Sequence, residues 1–208
     1  MLQTKAIEPG TLEILVGLMN LPELTDFLLV GGTALSLHYG HRISVDLDLF
    51  SSSDFENEFI AKVIEKAFPG FRYRSLNNQI GLFGFIDDVK VDFVKHHHFP
   101  IIDQKEVIDG IRFISRPDII AMKINAVMKR GVKKDFWDIA ELLNHFTIAD
   151  FINFYRRKYV SQQLLISVPQ AITYFDDAEE SEDPVSLKGQ TWDSVKKQIQ
   201  YKVREYLS

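Results

Sequence analysis

Three aspartates set in two apolar stretches carry the clearest chemistry in this sequence. Asp46 and Asp48 stand two residues apart in VDLDLF (45–50), where apolar and acidic residues alternate at the period of a strand. That alternation predicts both carboxylates on one face, with Val45, Leu47 and Leu49 turned into the core. At roughly 3.3 Å per residue the two acids lie about 6.6 Å apart along the backbone. With nothing between them they repel, which a metal ion or a proton relieves. Mg²⁺ suits such a pair because it takes carboxylates together with substrate phosphates. The third acid, Asp92, interrupts the apolar strand VKVDFV (89–94). Two cations about 3.5–4 Å apart need several bridging carboxylates, so Asp92 is the expected third metal ligand. The plainer alternative, acidic faces of edge strands in water, must also explain a Gly-Gly pair that ends fourteen residues before Asp46.

Gly31-Gly32 closes the apolar run Phe27 to Val30 and precedes a short helical stretch, Thr33 to Tyr39, with Gly40 as its stop. Glycine N–H groups with no Cβ beside them, at a helix start, are a natural seat for a phosphate. Further on, Lys123 sits among Ile119, Met122 and Ile124. A lysine on a mostly apolar helix needs a partner, and a phosphate would serve. Arg130 follows two turns later on the same face. These cations, with Lys134 on the next helix, fit a triphosphate or an RNA backbone. Two other readings remain open: Lys134 paired with Asp138 at i,i+4 on a solvated surface, and Asp135 paired with Arg130 or Lys123. Lys129 and Lys133 read as solvated. Adjacent histidines point different ways, so His96-His97-His98 cannot all ligate one ion from a regular element; the run reads as a polar loop, the other reading being one histidine against a nucleotide base or phosphate.

The elements that must position these groups follow from periodicity. Helices are expected over Thr11 to Asn20, Phe55 to Ala67, Pro117 to Arg130, from Lys133 through the KKDFWDIAELL run, over Thr147 to Tyr159 and over Trp192 to Leu207. Ser161 to Phe175 continues the helical pattern with a break at Pro169, and the acidic stretch Asp176 to Pro184 reads as a loop. Strands are expected at 71–75, 80–86, 89–95 and 111–115, with Asn77-Asn78 and Asp87-Asp88 as turns between the first three. The 208 residues then divide into an α/β nucleotide-site domain (1–115) and a helical domain (116–208) packed against it around a cleft. Cysteine is absent, which excludes disulfides and thiolate chemistry. A net charge of −5 argues against broad nucleic-acid coating and leaves room for a local basic patch. No apolar run approaches the ~20 residues that span a bilayer, and MLQTKAIEPG lacks the apolar core of a signal peptide. A cytoplasmic protein without a membrane partner is expected.

The pattern of Gly-Gly, then Asp-x-Asp, then a lone strand acid resembles the polymerase-β-like nucleotidyltransferase superfamily. GGTAL, HRISVDLDLF, VDFV, AMKINAVMKR and KKDFWDIAEL together are similar to the AbiEii/AbiGii toxin family of abortive phage infection and type IV toxin–antitoxin pairs. The resemblance implies an α/β (α+β) fold: a mixed sheet with flanking helices and a C-terminal helical region. It implies transfer of a nucleoside monophosphate from an NTP to an acceptor hydroxyl, with relatives linked to tRNA 3′ ends, and a cognate antitoxin as partner. Carried onto this chain, Gly31, Gly32 and Thr33 would cradle phosphates, and Asp46, Asp48 and Asp92 would hold Mg²⁺ or Mn²⁺. Arg42 and Lys123 would contact the triphosphate. Ser44 belongs to the same Arg-x-Ser-x-Asp-x-Asp run, and Asp135 takes the place of the family's Lys-Asp acid, beside Lys134. Transfer to a small molecule such as an aminoglycoside, transfer to a protein side chain, an inactive nucleotide-binding relative, and a different metal phosphotransferase or nuclease are the alternatives.

Overall fold

The two apolar runs that flank the diglycine and carry the Asp-x-Asp pair become neighbouring strands. The computed structural model describes residues 1–96, 99–162 and 165–208. Strand β1 (Phe27–Leu29) is buried throughout and pairs antiparallel with β2 (Leu47–Ser51), Leu29 opposite Leu49. The hairpin of β4 (Gly81–Ile86) and β5 (Val89–Lys95) extends the sheet, and β3 (Phe71–Tyr73) forms its edge. On the other side come β7 (Ile111–Phe113) and β6 (Glu106–Ile108). The seven strands run in the order β3-β4-β5-β2-β1-β7-β6. The sheet is mixed: β2 pairs parallel with β5 and β1 parallel with β7, while the other neighbours are antiparallel.

Asp48 stands opposite Asp92 across the parallel β2–β5 pair. Side chains opposite each other on adjacent strands share a face, so the second and third acids of the sequence point to the same side of the sheet.

Eight α-helices flank the sheet among the described residues: α1 (Pro9–Met19), α2 (Gly31–Tyr39), α3 (Asn57–Ala67), α4 (Arg116–Lys129), α5 (Lys133–Leu142), α6 (Ile148–Lys158), α7 (Val168–Thr173) and α8 (Trp192–Leu207). The start of α4 is written in its sequence. Ser115 caps it by accepting from the Asp118 N–H, and Pro117 occupies the first turn. Asp118 is fully buried and also accepts from Lys158 Nζ at 2.7 Å and from the Ile102 N–H at 3.1 Å. That node ties α4, α6 and the chain after β5 together. Trp137 and Trp192 stack with centroids 5.8 Å apart, fixing α8 on α5. Residues 185–187 bond back to 41–43 through Ile43 N–H to Val185 O and Leu187 N–H to His41 O, both at 2.9 Å. No helix is long and apolar enough to cross a membrane among the described residues.

Several expectations are corrected. β2 begins at Leu47, so Asp46 precedes the strand, and Val45 is 48% exposed instead of facing the core. The run after residue 161 yields only the short α7, because Ser167 caps a new helix at Val168 with Pro169 inside its first turn. The acidic stretch begins as a 3₁₀ turn, Asp176–Ala178, with Ala178 buried. Strand β6 was not expected: its half-exposed EVI lacks an apolar run and is held by pairing with β7. Helical spacing puts Phe59 in line with Phe55 and Val63, and Tyr206 in line with Ile199 and Val203 on α8, yet both are exposed. His97 and His98 lie outside the described residues.

Candidate active site

The site grows from the start of α2. Gly31 has φ +72°, a left-handed conformation natural to glycine, and it turns the chain directly from β1 into the helix. A Cβ on Gly31 would stand 2.9 Å from Asp48 Oδ2, and one on Gly32 would stand 2.1 Å from Arg42 Nη2. The diglycine therefore makes room for a carboxylate on one side and a guanidinium on the other. No side chain caps the first turn of α2, so its positive end is left for something else to neutralise. Thr33 turns inward. Its hydroxyl donates to the backbone oxygen of Asp46, and it lies 2.9 Å from the Ser44 hydroxyl. Thr33 and Ser44 thus pin the segment before β2 onto α2.

Behind this turn lies a fully buried ionic cluster centred on Asp138. Arg42 donates to it twice, from Nε to Oδ1 at 2.7 Å and from Nη2 to Oδ2 at 2.9 Å. Lys123 Nζ stands 2.5 Å from Oδ2, and His41 Nε2 lies 2.8 Å from Oδ1. Lys123 also donates to Asp135 at 2.8 Å, and Arg130 reaches Asp135 with two bonds of 3.0 and 3.1 Å. Burial by itself would raise both carboxyl groups. Arg42 and Lys123 overcome it and hold Asp138 well below the usual carboxylate range, and Lys123 with Arg130 hold Asp135 below it. Burial would likewise lower Lys123, but Asp138 and Asp135 leave its ammonium raised. The partner that Lys123 required is thus a pair of aspartates one turn apart on α5. Lys134 points elsewhere than the i,i+4 reading placed it, standing 3.5 Å from Asp46 Oδ2.

The three sequence-singled acids are not equivalent. Asp46 and Asp48 line the main cleft, of about 390 Å³, together with Gly31, Gly32, Lys123, Arg130 and Lys134. Asp92 sits across from Asp48 but is bonded by the ammonium of Lys90. Burial raises the pKa of Asp48, opposed by Lys90 and reinforced by Asp92 and Asp46. Among the described residues no three acidic or histidine side chains form a ready metal cluster. The donor set nevertheless fits a divalent cation. Asp92 Oδ1 is buried without a hydrogen-bond partner, Asp48 carries the strain of unshared negative charge, and Lys90 supplies the positive charge that an ion would bring.

The cleft is also lined by the rings of Phe50, His96, Phe99 and Tyr159 and by Met122 and Ala126 of α4. Phe50 and His96 have ring centroids 5.1 Å apart, and Phe99 meets Tyr159 edge-on at 5.0 Å. The lining thus combines a charged set with an aromatic one.

The sequence profile described as "Nucleotidyl transferase AbiEii toxin, Type IV TA system" matches residues 13–205. The chain belongs to the AbiEii family of nucleotidyltransferase toxins. Over 204 residues it is 32% identical to the uncharacterized protein aq_aa25 of Aquifex aeolicus (strain VF5), covering 94% of this chain and 95% of that one. Two solved structures share the fold with TM-scores of 0.57. JHP933 from Helicobacter pylori is 16% identical over 96% of this chain and 92% of its own. MenT4, the nucleotidyltransferase toxin Rv2826c from Mycobacterium tuberculosis H37Rv, is 14% identical over 89% of this chain and 80% of its own. The AbiEii chain thus has the polymerase-β-like nucleotidyltransferase fold expected of its motifs.

Asp138, His41 and Lys90 were not singled out from the sequence as site residues. Asp138 was legible as the second acid of Lys-Asp-x-x-Asp (134–138) but was paired with the wrong lysine. Lys90 carries a signal only in hindsight, since i,i+2 on a strand puts it on the face of Asp92.

Proposed function

We propose that this chain transfers a nucleoside monophosphate from an NTP to a hydroxyl at an RNA 3′ end, that of tRNA in particular, with Mg²⁺ or Mn²⁺ bound, and that a cognate antitoxin restrains it. The supporting observation is the single cleft that joins the uncapped start of α2, the carboxylates of Asp46 and Asp48, and the cations Lys123, Arg130 and Lys134. This reading keeps the division into a catalytic part (1–115) and a helical part (116–208), with α4 and α5 lending the cleft its cations.

Each group has a role in that reaction. The acceptor oxygen attacks the α-phosphorus, the bond from that phosphorus to the bridging oxygen breaks, and diphosphate leaves with the electron pair. Gly31 and Gly32 let the phosphates approach the backbone N–H groups at the start of α2. Thr33 and Ser44 hold the 44–46 segment in place so that Asp46 and Asp48 face the phosphates. Lys123, Arg130 and Lys134 offset the charge that develops on the diphosphate. Arg42 acts from behind Gly32, held by Asp138, and keeps the positive end of the cleft fixed. Asp135 holds Lys123 and Arg130 in position. Asp92 accepts the proton of the attacking hydroxyl once Lys90 releases it. A divalent cation held by Asp46, Asp48 and Asp92 would supply charge neutralisation at the α-phosphate and a more acidic acceptor hydroxyl.

The test is incubation with each α-labelled NTP, Mg²⁺ and total cellular RNA. Label should enter RNA with a subset of the NTPs. Asp46→Asn should lower the rate by about three decades, the loss of several kcal/mol of transition-state stabilisation. Absence of label transfer from every NTP, or an Asp46→Asn chain keeping more than about a tenth of the rate, overturns the proposal.

A further inference from the structure

The sheet carries a second hollow, of about 310 Å³, on the far side of Asp92 from the main cleft. Arg74, Phe83, Phe85, Lys90 and Asp92 line it, and with their neighbours on the same sheet face they fall into two rows fixed by strand register. In one row Arg74, Phe83, Asp92 and Asp48 succeed one another across β3, β4, β5 and β2: Phe83 is opposite Asp92, Asp92 is opposite Asp48, and the Arg74 N–H bonds Phe83 O at 3.2 Å. In the next row Arg72 is opposite Phe85, which is opposite Lys90, one step from Asp46. The other face of β4 is closed, with Leu82 and Ile86 buried in the core. On the open face Phe83 and Phe85 are half-buried and Arg72 and Arg74 exposed.

We infer that this face is the docking strip for the single-stranded 3′ end of an RNA, which enters over β3 and ends at Asp92. The inference rests on the nucleotidyltransferase reading above and adds where the acceptor lies. Two features carry it. First, entering and leaving oxygens lie on opposite sides of the phosphorus in an in-line displacement. With the triphosphate on the diglycine side, the acceptor must come from the side of Asp92, where this hollow opens. Second, the strip alternates cation and aromatic ring. Arg72, Arg74 and Lys90 match a phosphate backbone, and Phe83 and Phe85 offer faces on which bases stack without regard to sequence. In a chain of net charge −5, three cations placed side by side with aromatic rings on one sheet face give local complementarity to a polyanion. Arg72 bonds the carbonyl of the turn residue Asp87 at 3.0 Å and Lys90 bonds Asp92, so both cations are held on this face. Lys90 then has a switchable partner: an arriving phosphate draws it from Asp92.

The test is fluorescence anisotropy of a short 5′-fluorescein single-stranded RNA on the full chain. Phe83→Leu and Phe85→Leu, which keep apolar volume, should each weaken binding about tenfold. Arg72→Ala with Arg74→Ala should reduce the slope of log K against log salt by about 1.4, or 0.7 for each phosphate that is no longer neutralised. Arg74→Glu, at an exposed position, covers the case in which a phenylalanine variant does not fold. Lys197→Glu on the distant α8 should bind as wild type, and a duplex of the same sequence should bind more weakly. Unchanged affinity and slope in every strip variant overturns the inference, as do equal loss in Lys197→Glu, equal affinity for the duplex, or a wild-type chain that does not bind this RNA. The two readings fail separately. RNA binding that the strip variants weaken, without label transfer from any NTP, removes the transferase reading and supports the strip. Transfer to RNA that the strip variants leave untouched removes the strip alone.

Discussion

Arg42 and Asp138 are 96 residues apart in sequence and meet in a two-pronged, fully buried ion pair, Nε to Oδ1 at 2.7 Å and Nη2 to Oδ2 at 2.9 Å. The pair joins the segment after α2 to the middle of α5, so the diglycine side of the cleft and its lysine side share one carboxylate. Asp138→Asn keeps the shape of the side chain and removes its charge, leaving Arg42 and Lys123 to share Asp135. Removing one member of a buried ion pair costs about 3–5 kcal/mol. Urea denaturation of wild type and variant at neutral pH measures it. A difference below about 1 kcal/mol would show that the cluster is not what holds the two parts together.

The same cluster fixes a pH dependence. Asp138 and Asp135 have folded-state pKa values below the ordinary 3.8, because Arg42, Lys123 and Arg130 outweigh the effect of burial. The unfolded chain therefore binds protons at a higher pH than the folded one. Their stabilisation is complete above pH 3.8 and is lost as pH falls from there toward the folded values. Wild type should lose stability steeply on that acid limb, and Asp138→Asn should lose less, so that their urea midpoints converge. Midpoints that stay parallel through the acid limb would contradict the assignment.

Much of this was legible in the sequence, for identifiable reasons. The diglycine, the Asp-x-Asp pair at and before the start of β2 and the lone acid of β5 lie in or beside short apolar runs, where a polar residue has few explanations. The helix starts at Ser115 and Thr147 follow from caps that the structure contains. The choice of partner among charges is legible only in part. The pairing of Asp135 with Arg130 or Lys123 is one of the open readings, and both pairs form. Asp138 as the shared partner of Lys123 and Arg42 has no local signal. The apolar setting of Lys123 calls for an anion, and two aspartates of α5 supply it. Their approach depends on how α4 and α5 pack, which no local pattern encodes. Lys134 has Asp138 as its i,i+4 neighbour, yet the segment before β2 lies close enough to α5 that Lys134 stands beside Asp46 instead. The half-exposed strand β6 was missed because tertiary pairing with β7, rather than its own composition, makes it a strand.

Asp48 illustrates stability given up to a site. Burial and the neighbouring charges of Asp92 and Asp46 raise its pKa, which means its charged form destabilises the folded chain. Asp48→Asn should therefore melt at or above the wild-type temperature when no divalent cation is present. Mg²⁺ with an NTP mixture should stabilise wild type far more than the variant, since only wild type retains the carboxylate that shares the charge. Equal thermal shifts in the two chains would count against Asp48 as part of a metal–nucleotide site.

Gly31 joins backbone strain to chemistry. Its φ of +72° is one that a residue with a Cβ adopts at a cost of about 1–2 kcal/mol. That Cβ would also lie 2.9 Å from Asp48 Oδ2. Gly31→Ala should lower stability by about that amount and push the carboxylate away from the start of α2. Misplacing a reacting group by about 1 Å can cost a hundredfold in rate, so nucleotide transfer should fall further than the modest loss of stability explains. Gly10→Ala, which has open space around it, serves as the comparison and should transfer at the wild-type rate. Label transfer to RNA measured alongside urea midpoints separates the two effects. A Gly31→Ala chain with full activity would show that neither the turn nor the carboxylate it abuts sets the geometry of the reaction.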